Sequence, residues 1–134
     1  MADPLAKQGF FKGPDHTNCP ISDLLARLGD KWSVLVIVTL AGSPDHRARF
    51  SDLMRNVTGI SQRMLTTTLR HLERDGILTR RVFPEVPPRV EYTLTELGLG
   101  LLGPVRALVE WIEQRWPDIE RSRADYDTRI DAIS

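Results

Sequence analysis

The chain has 134 residues, enough for one domain with terminal extensions, and its 41% hydrophobic and 27% charged residues fit a soluble globular protein. A net charge of zero weighs against an indiscriminate nucleic-acid binder, and a single cysteine, Cys19, excludes both an internal disulfide framework and a multi-cysteine zinc site. No apolar run approaches the roughly 20 residues of a membrane span, and Met1-Ala2-Asp3-Pro4 shows no signal-peptide pattern, so a cytoplasmic protein is expected.

The charges are unevenly spread. Residues 44–92 hold nine arginines against six acids, a net of +3, and residues 93–134 hold five arginines against eight acids, a net of −3. A basic middle followed by an acidic tail region suggests two different uses.

Residues 1–18 are polar, with Gly9, Gly13 and Pro14, and read as a mobile arm with Phe10-Phe11 as an anchor. Cys19-Pro20 opens a helical pattern of Ile21, Leu24, Leu25 and Leu28. Proline suits the first helical position, where its missing N–H would be unpaired anyway, which puts Cys19 at or beside the N-cap. Gly29-Asp30 breaks this helix. Lys31 to Leu40 is apolar on nearly every side and reads as a buried central helix ending at Ala41-Gly42, although its β-branched residues permit a strand. A loop over Ser43 to His46 leads to a short strand, Arg47 to Phe50. Ser51 then reads as the cap of a small helix, Asp52 to Val57, and Thr58-Gly59-Ile60 is a tight connection.

The next helix has clear ends: Ser61 as N-cap and Gly76 as C′ glycine. On a wheel of about 100° per residue, Leu69, Leu72 and Thr68 fall within roughly 60° of Leu65. Arg63, Arg70 and Arg74 lie near the opposite pole, flanked by Thr66 and Thr67. A leucine seam therefore backs an arginine and threonine face that can meet base edges and phosphates. Taken alone, such a helix is also an ordinary amphipathic surface helix with a solvated outer face. Two helices joined by a short glycine-containing turn form the helix-turn-helix pattern, which also occurs in proteins that bind no DNA.

After Gly76 the period changes to two. Ile77 to Phe83 and Arg89 to Leu94 read as strands, with Pro84, Pro87 and Pro88 confined to the tip because they cannot donate to a ladder. This hairpin reads as the wing of a winged helix-turn-helix, with Arg80, Arg81 and Arg89 placed for the phosphate backbone. An Arg89–Glu91 pair that only steadies the strand is an equal alternative. Thr95 caps a long apolar helix through Leu97, Leu101, Leu102, Val105, Leu108, Val109, Trp111 and Ile112, with a bend expected near Pro104 and an end at Pro117. A final polar helix, 118–131, carries Ile119, Tyr126 and Ile130 on one side. These apolar residues exceed what a small winged domain needs, so homodimerisation is expected, with folding back on the same chain as the alternative.

The fold class expected is mainly α with a small β-hairpin (α+β): a flexible arm over 1–18, a winged helix-turn-helix DNA-binding domain over 19–95, and C-terminal dimerisation helices over 96–134. The expected DNA contacts are Ser61, Gln62, Arg63, Thr66, Thr67, Arg70, Arg74, Arg80, Arg81 and Arg89.

The ordered series Cys19-Pro20, Leu28-Gly29-Asp30-Lys31-Trp32, Arg49-Phe50-Ser51-Asp52-Leu53, Gly59-Ile60-Ser61, Met64-Leu65-Thr66, Leu69 to Gly76, and Pro87-Pro88-Arg89-Val90-Glu91-Tyr92-Thr93-Leu94-Thr95-Glu96-Leu97-Gly98 resembles the HxlR-type transcriptional regulators, a winged-helix group related to the MarR regulators. The resemblance runs from about Cys19 to Trp111. It implies a dimeric regulator that places the second helix of its motif in the major groove and its wing on the backbone or minor groove. It also implies that Cys19, at the matching Cys-Pro position, is a candidate sensor of electrophiles, quinones or oxidants. With no second cysteine, a disulfide could only join Cys19 to another Cys19 or to a small thiol.

A cysteine at a helix N-terminus feels unpaired N–H groups, which raise its thiolate fraction; a buried, inert cysteine packing the helix start is the competing reading. Catalysis is not expected. His16, His46 and His71 are scattered, and no metal spacing, phosphate loop or nucleophile arrangement appears, so neither cofactor nor metal is expected. Two other uses fit the same fold: a winged module for protein–protein contact, and a repressor with a small-molecule effector pocket at the dimer interface near Trp32 and Trp111.

Overall fold

Leucines spaced three and four apart on one helix, and apolar residues alternating on the strands after it, each need a partner surface to leave water. In the computed structural model, which describes residues 20–133, these two surfaces meet. The expected arm over 1–18 and Cys19 lie outside the described residues.

The elements run α1 (Pro20–Leu28), α2 (Lys31–Ala41), a 3₁₀ turn (Pro44–His46), β1 (Arg47–Arg49), α3 (Phe50–Asn56), α4 (Gln62–Arg74), β2 (Leu78–Phe83), β3 (Arg89–Leu94), α5 (Glu96–Gly100) and α6 (Leu102–Ile133). They fall into two compact units, one ending at Gly100 and the other beginning at Leu101. No helix among the described residues is long and apolar enough to cross a membrane.

In the first unit the three strands form one antiparallel sheet in the order β1-β3-β2. The hairpin read from the sequence is therefore joined by the short strand before α3, with Arg47 opposite Thr93 and Arg49 opposite Glu91. Within the hairpin, Leu78 faces Leu94, Arg80 faces Tyr92, Arg81 faces Glu91 and Phe83 faces Arg89. The core comprises Val36, Ile37 and Leu40 of α2, Leu53 and Val57 around α3, Ile60 of the turn, Leu65, Leu69 and Leu72 of α4, and Ile77, Leu78, Tyr92 and Leu94 of the sheet. Leu65, Leu69 and Leu72 are 0–1% exposed, so each anchors α4 with the roughly 2–5 kcal/mol that truncation of a buried leucine costs.

Four details differ from the sequence reading. Helix α2 buries only one face, Ser33, Val36, Ile37 and Leu40, while Leu35 and Val38 are exposed. It packs on α4 and β3 from one side, and a run apolar all round cannot show which side its own chain will cover. Helix α3 begins two residues earlier than expected, at Phe50, with Arg49 at the cap and Ser51 inside the helix. The Asp52 carboxylate supplies the end instead, accepting from the Arg49 N–H at 3.4 Å. The C-terminal interruption falls at Leu101 rather than at Pro104, which sits in the first turn of α6, where a missing N–H costs nothing. Finally, Pro117 lies inside α6 and does not end it. Asp118 pairs with Arg115 at 3.4 Å and with Arg121 at 3.2 Å, so ion pairs hold the turns on both sides of the lost hydrogen bond.

Thr95 does cap the helix that follows it. Its hydroxyl oxygen accepts from the Gly98 N–H at 3.1 Å and lies 2.5 Å from the Gly76 carbonyl oxygen, to which it donates. This single side chain ties the start of α5 to the end of α4.

Candidate nucleic-acid interface

The interface is built on α4. Ser61 precedes it with extended backbone, and its hydroxyl oxygen accepts from the Met64 N–H at 3.1 Å. At the other end the Gly76 N–H donates to the Glu73 carbonyl at 3.0 Å and the Ile77 N–H to the Leu72 carbonyl at 2.9 Å. This is the Schellman arrangement, and it requires the positive φ of 77° that Gly76 adopts without strain. With both ends closed and the leucine seam buried, the outer face is held at a fixed orientation.

That face exposes Ser61, Gln62, Arg63, Thr67, Arg70 and Arg74, with His71 beside them. Thr66 is half-buried, and its hydroxyl donates to the Gln62 carbonyl at 2.8 Å. At the C-terminal end, Asp75 accepts from one Arg27 nitrogen at 2.9 and 3.1 Å, an ion pair that fastens α1 to the end of α4.

The arginines divide by partner. Arg27, Arg47, Arg55 and Arg89 are each held by a carboxylate: Asp75, Asp45, Asp52, and Glu85 with Glu91. Among the described residues, Arg63, Arg70, Arg74, Arg80 and Arg81 have no ion pair. Their guanidinium donors are uncommitted to any acid among the described residues, which is the state a phosphate or guanine ligand needs.

The strand alternation separates two of these neighbours. Arg80 stands opposite the buried Tyr92, and Arg81 opposite Glu91, so the two point to opposite faces of the sheet. A concavity of about 460 Å³ is lined by Phe50, Gln62, Thr66, Leu69, Arg70, Glu73, Arg80 and Tyr92. It brings Arg80 beside Gln62, Thr66 and Arg70 of α4. Arg81 lies on the other face, its guanidinium 4.6 Å from the centroid of the Phe83 ring. Arg80 and Arg81, expected together on the phosphate backbone, are thus assigned to different faces by the strand's own period of two. Glu73, an acid on the flank of α4 in the same concavity as Arg70 and Arg80, is not among the residues the sequence singles out. Arg89 is the remaining expected contact; it is half-buried and paired with Glu85 and Glu91.

Among the described residues no group of three or more His, Cys, Asp or Glu side chains is gathered as a metal site. His46 is tied to its own turn, with Nδ1 3.2 Å from the Ala41 carbonyl oxygen. Trp32 is half-buried, with the Lys31 ammonium 4.6 Å from its ring centroid, and Trp111 belongs to the C-terminal unit and is exposed.

Comparison with known proteins then decides the family. The family model for HxlR-like helix-turn-helix proteins matches residues 27–120. The chain belongs to the HxlR-like helix-turn-helix family. It is similar to an uncharacterized HTH-type transcriptional regulator of Methanothermobacter thermautotrophicus, 46% identical over 103 residues, covering 77% of this chain and 76% of the relative. Among solved structures it is similar to the ytfH protein of Salmonella typhimurium, with a TM-score of 0.73, 41% identity, and 81% of this chain and 94% of that one covered. It is also similar to the redoxregulator HypR in its reduced form, with a TM-score of 0.68, 38% identity, and 76% and 98% covered. As an HxlR-like helix-turn-helix protein, the chain is a DNA-binding transcriptional regulator and not an enzyme. Helices α3 and α4 with the turn between them are its helix-turn-helix, and β2–β3 is its wing.

Proposed function

We propose that this regulator acts as a homodimer on a DNA operator with two-fold symmetry, and that each subunit inserts α4 into the major groove of one half-site. The observation that carries the reading is the set of carboxylate-free arginines on and beside a helix whose other face is fully buried. Ser61, Gln62, Arg63, Thr66, Thr67 and Arg70 face base edges. Arg74, near the C-terminal end, and Arg80 and Arg81 of the wing meet phosphates. Within this reading residues 19–95 form the DNA-binding part and 96–134 supply dimerisation helices, with 1–18 as an arm.

Dimerisation is supported by apolar side chains that remain exposed: Leu24 and Leu25 of α1, Leu35 and Val38 of α2, and Leu108, Trp111, Ile112, Trp116, Tyr126 and Ile130 of α6. Large apolar groups left exposed on each of the two units support surfaces that another chain covers. The half-sites then lie one helical turn apart, about 34 Å. A gel shift across the protein's own promoter region tests this. A shifted band of dimer stoichiometry at moderate salt is the expected result, and no shift even at low salt refutes it.

Cys19 makes the regulator responsive to thiol-reactive compounds. The support is a structural relative described as a redoxregulator, together with the position of the only cysteine immediately before α1. Release of DNA by a quinone is expected from the wild type and not from Cys19→Ser; equal release from both removes the sensor role.

A further inference from the structure

Arg89 is surrounded unlike the other wing arginines. It opens β3 directly opposite Phe83. Its guanidinium nitrogens lie 3.2 Å from the Glu85 carboxylate and 3.7 Å from that of Glu91. Its guanidinium carbon is 4.0 Å from the centroid of the Phe83 ring, the same ring that Arg81 approaches at 4.6 Å. The side chain is 26% exposed and its Nε is buried. Two acids already neutralise this cation, and an aromatic ring covers it. A phosphate would have to compete with both partners for it.

The same contacts span the wing. Glu85 belongs to the tip, four residues before Arg89, and Glu91 to the central strand. Pro84, Pro87 and Pro88 offer no N–H, and within the tip the Glu85 N–H donates to the Phe83 carbonyl at 2.8 Å. Arg89 therefore joins the tip, the central strand and the Phe83–Arg81 pair through one planar group with several fixed donors, a geometry that lysine cannot reproduce.

We propose that Arg89 is a positioning residue: it clamps the tip over 84–88 and the Phe83–Arg81 pair in the arrangement that meets DNA, and does not itself contact DNA. The clamp rests on the reading that the wing meets DNA, but its effect on the tip is visible in the free protein as well.

The test uses full-length wild type, Glu85→Gln, Arg89→Lys and the double variant. Amide hydrogen exchange over residues 82–90 is measured without DNA, and affinity for the shifted promoter duplex is measured by fluorescence anisotropy. Glu85 is exposed at the tip, so its variant keeps the fold. The expected result is faster tip exchange in both single variants and DNA binding weakened about three- to five-fold in each, with the double variant no worse than either. The sign for Glu85→Gln is the sharpest element. Removing an acid beside DNA strengthens binding if only charge matters, and weakens it if the acid holds the clamp. Unchanged exchange at the tip, tighter binding by Glu85→Gln, or wild-type binding by Arg89→Lys each overturns the proposal. Faster tip exchange with unaltered duplex affinity leaves the tip held by Arg89 but overturns the clamp's role in binding. A wild-type protein that binds no duplex refutes the wing reading instead, and exchange at the tip still judges whether Arg89 holds it.

Discussion

Replacing Gly98 by alanine should loosen the joint where α4, the wing and α5 meet. A Cβ at this position falls 2.1 Å from the Ile77 carbonyl oxygen, 3.1 Å from its carbonyl carbon and 3.1 Å from Leu94 Cδ2. A carbon normally rests about 3.3 Å or more from a carbonyl oxygen, so roughly 1 Å of movement is needed. The oxygen is poorly free to give way, because it accepts the Thr95 N–H at 3.0 Å and the Thr95 hydroxyl lies 3.1 Å from it. Overpacking of this kind costs about 1–3 kcal/mol, and breaking a Thr95 hydrogen bond about 1 kcal/mol more. A total of roughly 2–4 kcal/mol lowers the Tm by about 6–20 °C for a chain of this size. Thermal unfolding followed by circular dichroism at fixed protein concentration measures it. Gly100→Ala is the control: nothing lies within 4 Å of a Cβ there, so its Tm should match the wild type or rise slightly. A Gly98→Ala protein that melts within about 2 °C of the wild type refutes the steric reasoning.

Thr95→Val removes the cap of α5 and its bond to Gly76, and should cost about 1–3 kcal/mol in denaturant unfolding with an unchanged m-value. Arg63→Ala and Arg70→Ala should each weaken binding to the operator by roughly 1–3 kcal/mol while barely changing binding to unrelated duplex. Arg80→Ala and Arg81→Ala should instead weaken binding to both and reduce the slope of log K against log salt by about 0.9 each, as titrations at several salt concentrations will show. If the two pairs behave alike, the division between helix and wing is wrong. Arg27→Ala leaves Asp75 half-buried and unpaired at the negative end of α4, and should cost about 1–3 kcal/mol. The double variant with Asp75→Ala should be less damaged than the two single losses summed, and full additivity would show that the pair contributes nothing.

The elements whose cause is local were legible in the chain. Ser61, the leucine spacing and Gly76 define α4 because caps and seam act within a few residues of one another. The period-two pattern and its prolines likewise place the wing. What could not be read depends on distant partners. The pairing of β1 with β3 joins residues more than forty positions apart, and nothing in Arg47-Ala48-Arg49 names its partner. The open side of α2 was hidden because an all-apolar helix reads the same whichever face its own chain covers. Pro117 is a different case: a helix breaker reads as an end, although Asp118 pairs with Arg115 and Arg121 beside the missing hydrogen bond. Glu85 and Arg89 lie close in sequence, but only the shape of the tip brings the carboxylate onto the guanidinium.

The bond from Thr66 to the Gln62 carbonyl limits the vocabulary of the proposed recognition surface. Its only hydroxyl proton is turned inward, so toward a base edge this residue can present lone pairs and a methyl group, and nothing to donate. Adenine N6 and cytosine N4 each supply an amino hydrogen for such an acceptor, and the thymine methyl can pack against the threonine methyl. Guanine, whose major-groove edge offers only acceptors, has nothing to exchange with it. In the proposed complex, preference at a base pair facing Thr66 follows which strand carries the amino group, and Thr66→Ser should keep the amino preference while losing that for thymine.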